Sequence, residues 1–214
     1  MHKLILWGRN TSVNVQKVIW TLAELGLDYE RKDVGGDFGG LDSPDFAAMN
    51  PNRLIPVLQD GDLSVWESSA IVRYLAAQYG AGTLWPELPR QRAQCDQWAD
   101  WYNTTFQPTW LGVYLALVLT PPSRRDMEAI RRGNEAVNKG FALLDGALAG
   151  RDFLCGKGLT YADILCGAVL YRWSRLDVER IDMPNVDAWH ARLRTRPAFV
   201  TGIEIDFSAM MARD

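Results

Sequence analysis

The chain has 214 residues, enough for one large domain or two small ones. Hydrophobic residues make up 48% and charged residues 23%, a globular balance, and a net charge of -3 supplies no broad basic field for nucleic acid or an anionic membrane. No apolar run approaches the roughly 20 residues of a membrane span, the apolar part of MHKLILWGRN is too short for a signal peptide, and the widely spaced Cys95, Cys155 and Cys166 suit a reducing cytoplasm.

Lys3 to Trp7 (KLILW) reads as a short strand. Val13 to Leu25 follows with Val15, Val18, Ile19, Leu22 and Leu25 at helical spacing, and Gly26 closes it as a C-cap glycine does. Asp28 to Val34 alternates weakly and reads as a second strand, so the chain opens β-α-β, an order that favours parallel pairing. Gly35 to Gly40 is a glycine-rich loop without the spacing of a phosphate loop. Ser43 to Met49 reads as a short helix with Pro44 at its first position.

Asn50 to Tyr79 is the most informative stretch. A short apolar run (Leu54, Ile55, Pro56, Val57, Leu58) is followed by a turn at Asp60, Gly61 and Asp62 and a second run from Leu63 to Trp66, the pattern of a hairpin. Pro56 cannot donate to a ladder, which confines it to a strand start or edge. Glu67-Ser68-Ser69 then opens a helix with Ile71, Leu75 and Tyr79 at spacing four, and Ser68 is the candidate N-cap.

Gly80 to Pro89 is rich in Gly and Pro and reads as a linker. A helical region spans Arg90 to Leu119, kinked or broken at Pro108. Ser123 is the candidate cap of a helix running to Leu148. Thr160-Tyr-Ala-Asp163 is a capping-box pattern, with Leu159 and Ile164 placed as a hydrophobic staple, ahead of a helix reaching Leu170 and Trp173. Pro184 to Thr195 is a further helix, and Pro197 starts a last segment.

The order of apolar-Pro-apolar (Ile55-Pro56-Val57), hairpin, and Glu67-Ser68-Ser69-Ala70-Ile71 resembles the glutathione-binding core of the cytosolic glutathione transferase superfamily, in particular its bacterial theta-like, serine-type members. The resemblance covers nearly the whole chain. It implies a thioredoxin-like domain (β-α-β-α-β-β-α) over residues 1–79, a linker over 80–90 and an all-helical domain over 91–214, with Pro56 cis. It further implies a cytoplasmic homodimer that uses glutathione as co-substrate and needs neither metal, nucleic acid nor membrane. His2 and His190 are too few and too far apart for a metal site.

Residue by residue, the resemblance assigns Ile55 to the cysteinyl backbone of glutathione, Pro56 to aiming those backbone groups, and Glu67 and Ser68 to the γ-glutamyl ammonium and carboxylate. Capping of the helix by Ser68 is compatible with the same role. Relatives carry Lys just before the apolar-Pro pair, reaching the glycyl carboxylate. Here that place holds Arg53-Leu54; Leu54 cannot reach it, and Arg53 is either its replacement or a solvated surface side chain.

A free thiol has a pKa near 8.5, and lowering it by about two units takes roughly 2.7 kcal/mol. A hydrogen bond to a charged group supplies about 1.5–3 kcal/mol and a helix N-terminus roughly 0.3–1 kcal/mol. The resemblance places the activating group in Asn10-Thr11-Ser12-Val13-Asn14, with Ser12 the main candidate, then Asn14, then Thr11. Ser12 read alone, without the resemblance, is first a helix cap. No Cys precedes Cys95, which argues against a mixed disulfide through a protein thiol. Trp101, Tyr102, Phe106 and Trp110 are candidates to line an apolar pocket for a small electrophile, or else core and interface residues. The expected activity is transfer of glutathione to that electrophile. Alternatives on the same fold are glutathione-dependent disulfide or peroxide reduction, dehalogenation, isomerisation, or a non-catalytic binding protein.

Overall fold

The computed structural model describes residues 3–214. His2, one of the two histidines weighed above, lies outside the described residues. The N-terminal half runs β1 (Leu4–Trp7), α1 (Val13–Glu24), β2 (Tyr29–Lys32), α2 (Pro44–Met49), β3 (Val57–Asp60), β4 (Leu63–Trp66) and α3 (Ser68–Tyr79). The helical half holds α4 (Pro89–Trp101), α5 (Gln107–Val118), α6 (Met127–Leu148), α7 (Tyr161–Gly167), α8 (Leu170–Arg175), α9 (Pro184–Arg194) and α10 (Pro197–Ile203). This is a thioredoxin-like domain followed by an all-helical one.

The sheet has four strands in the order β2-β1-β3-β4. β1 pairs parallel with β2, through the α1 crossover, and antiparallel with β3. Asp60 pairs with Leu63, leaving Gly61 and Asp62 as a two-residue turn with Gly61 at φ 62. That is the first turn position, where a hairpin of the II′ kind demands glycine. The Ile55–Pro56 bond is cis. Pro56 stands just before β3, so its missing N–H interrupts no ladder bond.

α1 forms because its apolar positions face the sheet, with Val15, Val18 and Leu22 wholly buried against Leu4, Leu6 and Leu58. It ends in a Schellman motif. Gly26 at φ 64 donates to the Ala23 carbonyl and Leu27 N–H reaches back to that of Leu22. The opposite face of α1 belongs to the helical half: Trp20 packs edge-on against Phe199 of α10 at 4.9 Å. Arg196 seals this seam with a two-pronged ion pair to Glu24 at 2.7 and 2.6 Å. On α3, Arg73 bridges to Asp96 and Asp100 of α4.

Three local expectations change. Pro108 sits in the first turn of α5, and the helix is relieved before it by a π-turn over Tyr102–Phe106, where Gln107 N–H reaches the Tyr102 carbonyl five residues back. α6 is capped by Asp126, which accepts from Ala129 N–H at 2.9 Å, and Ser123 instead donates to Asp214. The apolar stretch after Thr160 forms two helices, parted at Ala168 and Val169, whose backbone stays in the α region. The capping box itself is present. Thr160 donates its N–H and O–H to one Asp163 oxygen, and Leu154 N–H donates to the other, each at 2.9 Å. Leu159 and Ile164 are both buried in the helical core.

Candidate functional site between the first helix and the helical domain

The loop from β1 to α1 is tied at nearly every residue. Gly8 and Arg9 donate to the carbonyls of Lys32 and Val34 at 2.9 and 3.3 Å. Ser12 N–H donates to the Arg9 carbonyl at 3.2 Å. The Gln16 amide holds the Asn10 carbonyl at 2.9 Å, and the Arg172 guanidinium holds that of Thr11 at 2.6 Å. Loop geometry at the N-terminus of α1 is therefore fixed from both halves of the chain.

Ser12 is the N-cap residue of α1 by backbone geometry, yet its hydroxyl makes no capping hydrogen bond. It faces a cavity of about 150 Å³ whose near wall is Thr11, Ser12, Val13 and Asn14. The far wall comes from α5, with Trp110, Leu111, Tyr114 and Leu115. Trp110 is thus the one member of the predicted aromatic set on this cavity. Tyr102 and Phe106 are buried core residues, and Trp101 stacks on Phe106 at 5.1 Å. Helical periodicity marked all four as apolar and could not say which way each faced.

Asn14 is oriented by what its oxygen accepts. Lys17 Nζ donates to Asn14 Oδ1 at 3.0 Å and Ser68 Oγ donates to the same atom at 3.4 Å. With the oxygen so occupied, the amide NH2 is left as the free donor. Lys17 is wholly buried, donates also to Gln107 Oε1 at 2.7 Å, and lies 4.5 Å over the Tyr102 ring. Burial pushes its pKa down to about 7, against the opposing pull of the Glu67 carboxylate. Sequence reasoning missed Lys17 because a lysine in a helix ordinarily reads as solvated. A signal was present: Asn14, Lys17 and Thr21, at helical spacing, form a polar stripe on a helix whose other buried positions are mostly apolar.

The second group of expected residues lines up along β3 and the start of α3. Ile55 N–H and C=O have no hydrogen-bond partner among the described residues, so an extended peptide has backbone groups to pair with. Ser68 is not the N-cap. Glu67 takes that non-helical position at φ 68, and Ser68 begins the helix, buried, with its hydroxyl turned to Asn14. Glu67 is exposed and makes no side-chain hydrogen bond or ion pair among the described residues. A non-glycine residue at positive φ is costly and marks a place where backbone geometry matters.

Arg53, also at positive φ (52), is exposed and paired with Asp42 at 3.0 Å. Leu54 is 60% exposed, and its carbonyl accepts from the buried Asn50 amide at 2.8 Å. The cysteines lie away from the cavity, in the helical half. Cys95 and Cys166 are buried and Cys155 half-buried, all as free thiols. Burial holds the Cys166 thiol well above its ordinary pKa. No helix among the described residues is long and apolar enough to cross a membrane. No cluster of three or more His, Cys, Asp or Glu residues with metal-binding geometry occurs among them.

Comparison with known proteins agrees with this architecture. Residues 2–77 match the family model described as glutathione S-transferase, N-terminal domain, and residues 111–197 match glutathione S-transferase, C-terminal domain. The chain is 43% identical over 197 residues to glutathione S-transferase GstB of Escherichia coli K12, covering 91% of this chain and 95% of that protein. It is 30% identical to glutathione S-transferase D6 of Drosophila melanogaster, covering 86% and 84% of the two chains. Among solved structures it resembles the theta class glutathione S-transferase of Xanthomonas axonopodis pv. citri with glutathione bound. The TM-score there is 0.92 and the identity 41%, with 96% of this chain and 99% of that one covered. With both halves matched in order, and the cis Ile55–Pro56 bond and α3 N-terminus in place, the chain belongs to the glutathione S-transferase family.

Proposed function

We propose that this protein is a glutathione S-transferase that holds the glutathione thiol as thiolate at the N-terminus of α1 and directs it at a small electrophile in the cavity between the two halves. The observation that carries this reading is the convergence of free donors on that cavity. The Ser12 hydroxyl is unused in capping, and the Asn14 NH2 is left free by Lys17 and Ser68. Each such donor to an anionic sulfur contributes about 1.5–3 kcal/mol. Two together exceed the roughly 2.7 kcal/mol needed to lower a thiol pKa by about two units. Thr11 is the weaker candidate, since its place in the loop is set through its carbonyl.

In the same reading the tripeptide pairs its cysteinyl backbone with Ile55, beside Pro56. It sets its γ-glutamyl carboxylate on Ser68 and the α3 N-terminal amides, and its ammonium on Glu67. Arg53, already paired with Asp42 at an exposed site, serves the glycyl carboxylate only by exchanging that partner. Leu54 contributes no polar side chain. The absence of any Cys in the N-terminal half favours transfer to an electrophile over exchange through a protein disulfide.

The test is calorimetric titration with glutathione, followed by a thiolate absorbance titration of the complex. Binding with a bound-thiol pKa well below 8.5 and conjugation of a neutral aromatic halide are expected; no binding would sink the reading. A homodimeric, cytoplasmic protein is part of the proposal, and light scattering of the purified chain checks the dimer.

A further inference from the structure

We propose that the cavity between the two halves takes a small electrophile carrying a carboxylate, gripped by the guanidiniums of Arg9 and Arg172 beside the thiol. This rests on the glutathione-transferring reading above and names its second substrate class.

The cavity, at about 150 Å³, has the volume that holds a benzene-sized molecule. Its lining includes Arg9 and Arg172 and no acidic residue. Arg172 is 2% exposed. Its guanidinium donates to two neutral oxygens, the Tyr114 hydroxyl and the Thr11 carbonyl, and its Nε has no partner. Arg9 likewise keeps a buried Nη1 without a partner. Neither forms an ion pair among the described residues, whereas the partly buried Arg73 and Arg196 are each matched with carboxylates.

Arginine does not give up its proton, so both charges persist. They also bear on each other. Burial first, and then the nearby Arg9 charge, push the Arg172 pKa down, opposed by Tyr114. A buried Arg172 and a half-buried Arg9 close to it, neither with a counter-ion, are costly at the edge of a protein interior, and an incoming anion relieves that cost. A guanidinium fork matches a carboxylate in geometry as well as charge. Tyr114 adds a donor. Its oxygen accepts from Arg172, so its own hydrogen is free for the cavity, and burial, the largest influence on it, keeps the phenol protonated.

A carboxylate next to a thiolate would be repelled in a neutral pocket. Here two cations face the two anions, and the carboxylate is drawn in with its electrophilic carbon toward Ser12 and Asn14. With a 2-halocarboxylate the balance is simple. The thiolate sulfur forms a bond to C2, the carbon–halogen bond breaks, halide leaves with the electron pair, and the thiol proton has gone to solvent. No oxidant or further reactant is needed.

The test compares chloroacetate with its neutral counterpart chloroacetamide, each rate with glutathione divided by its uncatalysed rate. The expected enhancement is about tenfold or more greater for chloroacetate. Arg9→Met is expected to shrink that preference about tenfold, and Arg172→Lys, which keeps the charge but loses the fork, to shrink it less. Acetate is expected to inhibit the wild-type reaction competitively and acetamide to leave it untouched, a readout needing no variant. Equal enhancement of the two electrophiles, or no inhibition by acetate, would overturn the inference while leaving glutathione transfer intact. An Arg9→Met protein with weakened glutathione binding and both electrophiles slowed alike would also overturn it, by assigning Arg9 to glutathione's own carboxylate. If the wild type neither binds glutathione nor conjugates either electrophile, the parent reading fails as well.

Discussion

The buried ammonium of Lys17 donates to Asn14 Oδ1 at 3.0 Å, one helical turn away on α1. That bond occupies the Asn14 amide oxygen and leaves its NH2 as the free donor of a residue lining the cavity. It also brings a titratable cation to the base of the site, with a pKa lowered by burial from 10.5 to about 7. Lys17 therefore links folding stability, Asn14 orientation and pH.

The sign of that linkage follows from proton counts. Between pH 7 and 10.5 the unfolded chain keeps a proton on Lys17 that the folded chain has given up, so this residue's contribution to stability improves as pH rises across that window. Other groups titrate there too, and a Lys17→Met variant isolates the effect. The stability gap should move in favour of wild type from pH 7 to 9, by at most about 1.4 kcal/mol per pH unit. Urea unfolding at the two pH values measures it, and a gap that stays flat would contradict a lowered Lys17 pKa.

Ser12→Ala should raise the pKa of the bound thiol by about 1–2 units, the value of one hydrogen bond to an anion. Asn14→Ala should do the same and also weaken glutathione binding, because it strands Lys17 and Ser68. Asn14→Asp should raise the thiol pKa further by placing a carboxylate where the donor stood. Thiolate absorbance against pH reads all three. An unmoved titration in Ser12→Ala would shift the role to Asn14 or a backbone amide.

Glu67→Ala should weaken glutathione binding about tenfold or more, roughly 1.4 kcal/mol, with little change in fold because the side chain is exposed and touches no partner. Ser68→Ala should weaken it comparably and also release Asn14. Calorimetry gives both constants, and wild-type affinity in Glu67→Ala would remove that residue from the site.

Asp163→Ala should destabilise the helical half without touching the thiol. Its carboxylate receives Leu154 N–H and both Thr160 donors inside the core. Stranding a buried donor costs roughly 1–3 kcal/mol each. Burial raises the Asp163 pKa from 3.8 to about 6 despite those bonds, so its contribution to wild-type stability falls as pH rises from 3.8 through 6. Chemical denaturation of variant and wild type at pH 5 and 7 tests both points.

The amino-acid order by itself determined what short-range chemistry decides. The turn at Gly61, the stop at Gly26, the helix start at Pro44 and the Thr160–Asp163 box each depend on a few neighbouring residues, and each appears where its residues predict. Local rules failed where two nearby residues competed for one role, as with Ser123 and Asp126 before α6, or Glu67 and Ser68 before α3. The tertiary structure alone decided the site's character. Ser12 could be read as a cap until the fold left its hydroxyl without a capping bond, on the wall of a cavity. Lys17 became part of the site through Gln107, 90 positions away, and Arg172 through Thr11, 161 positions away. No periodicity or motif encodes such pairs. They exist because α1 is sandwiched between its own sheet and a second domain, which removes water from charges that a sequence alone would leave solvated.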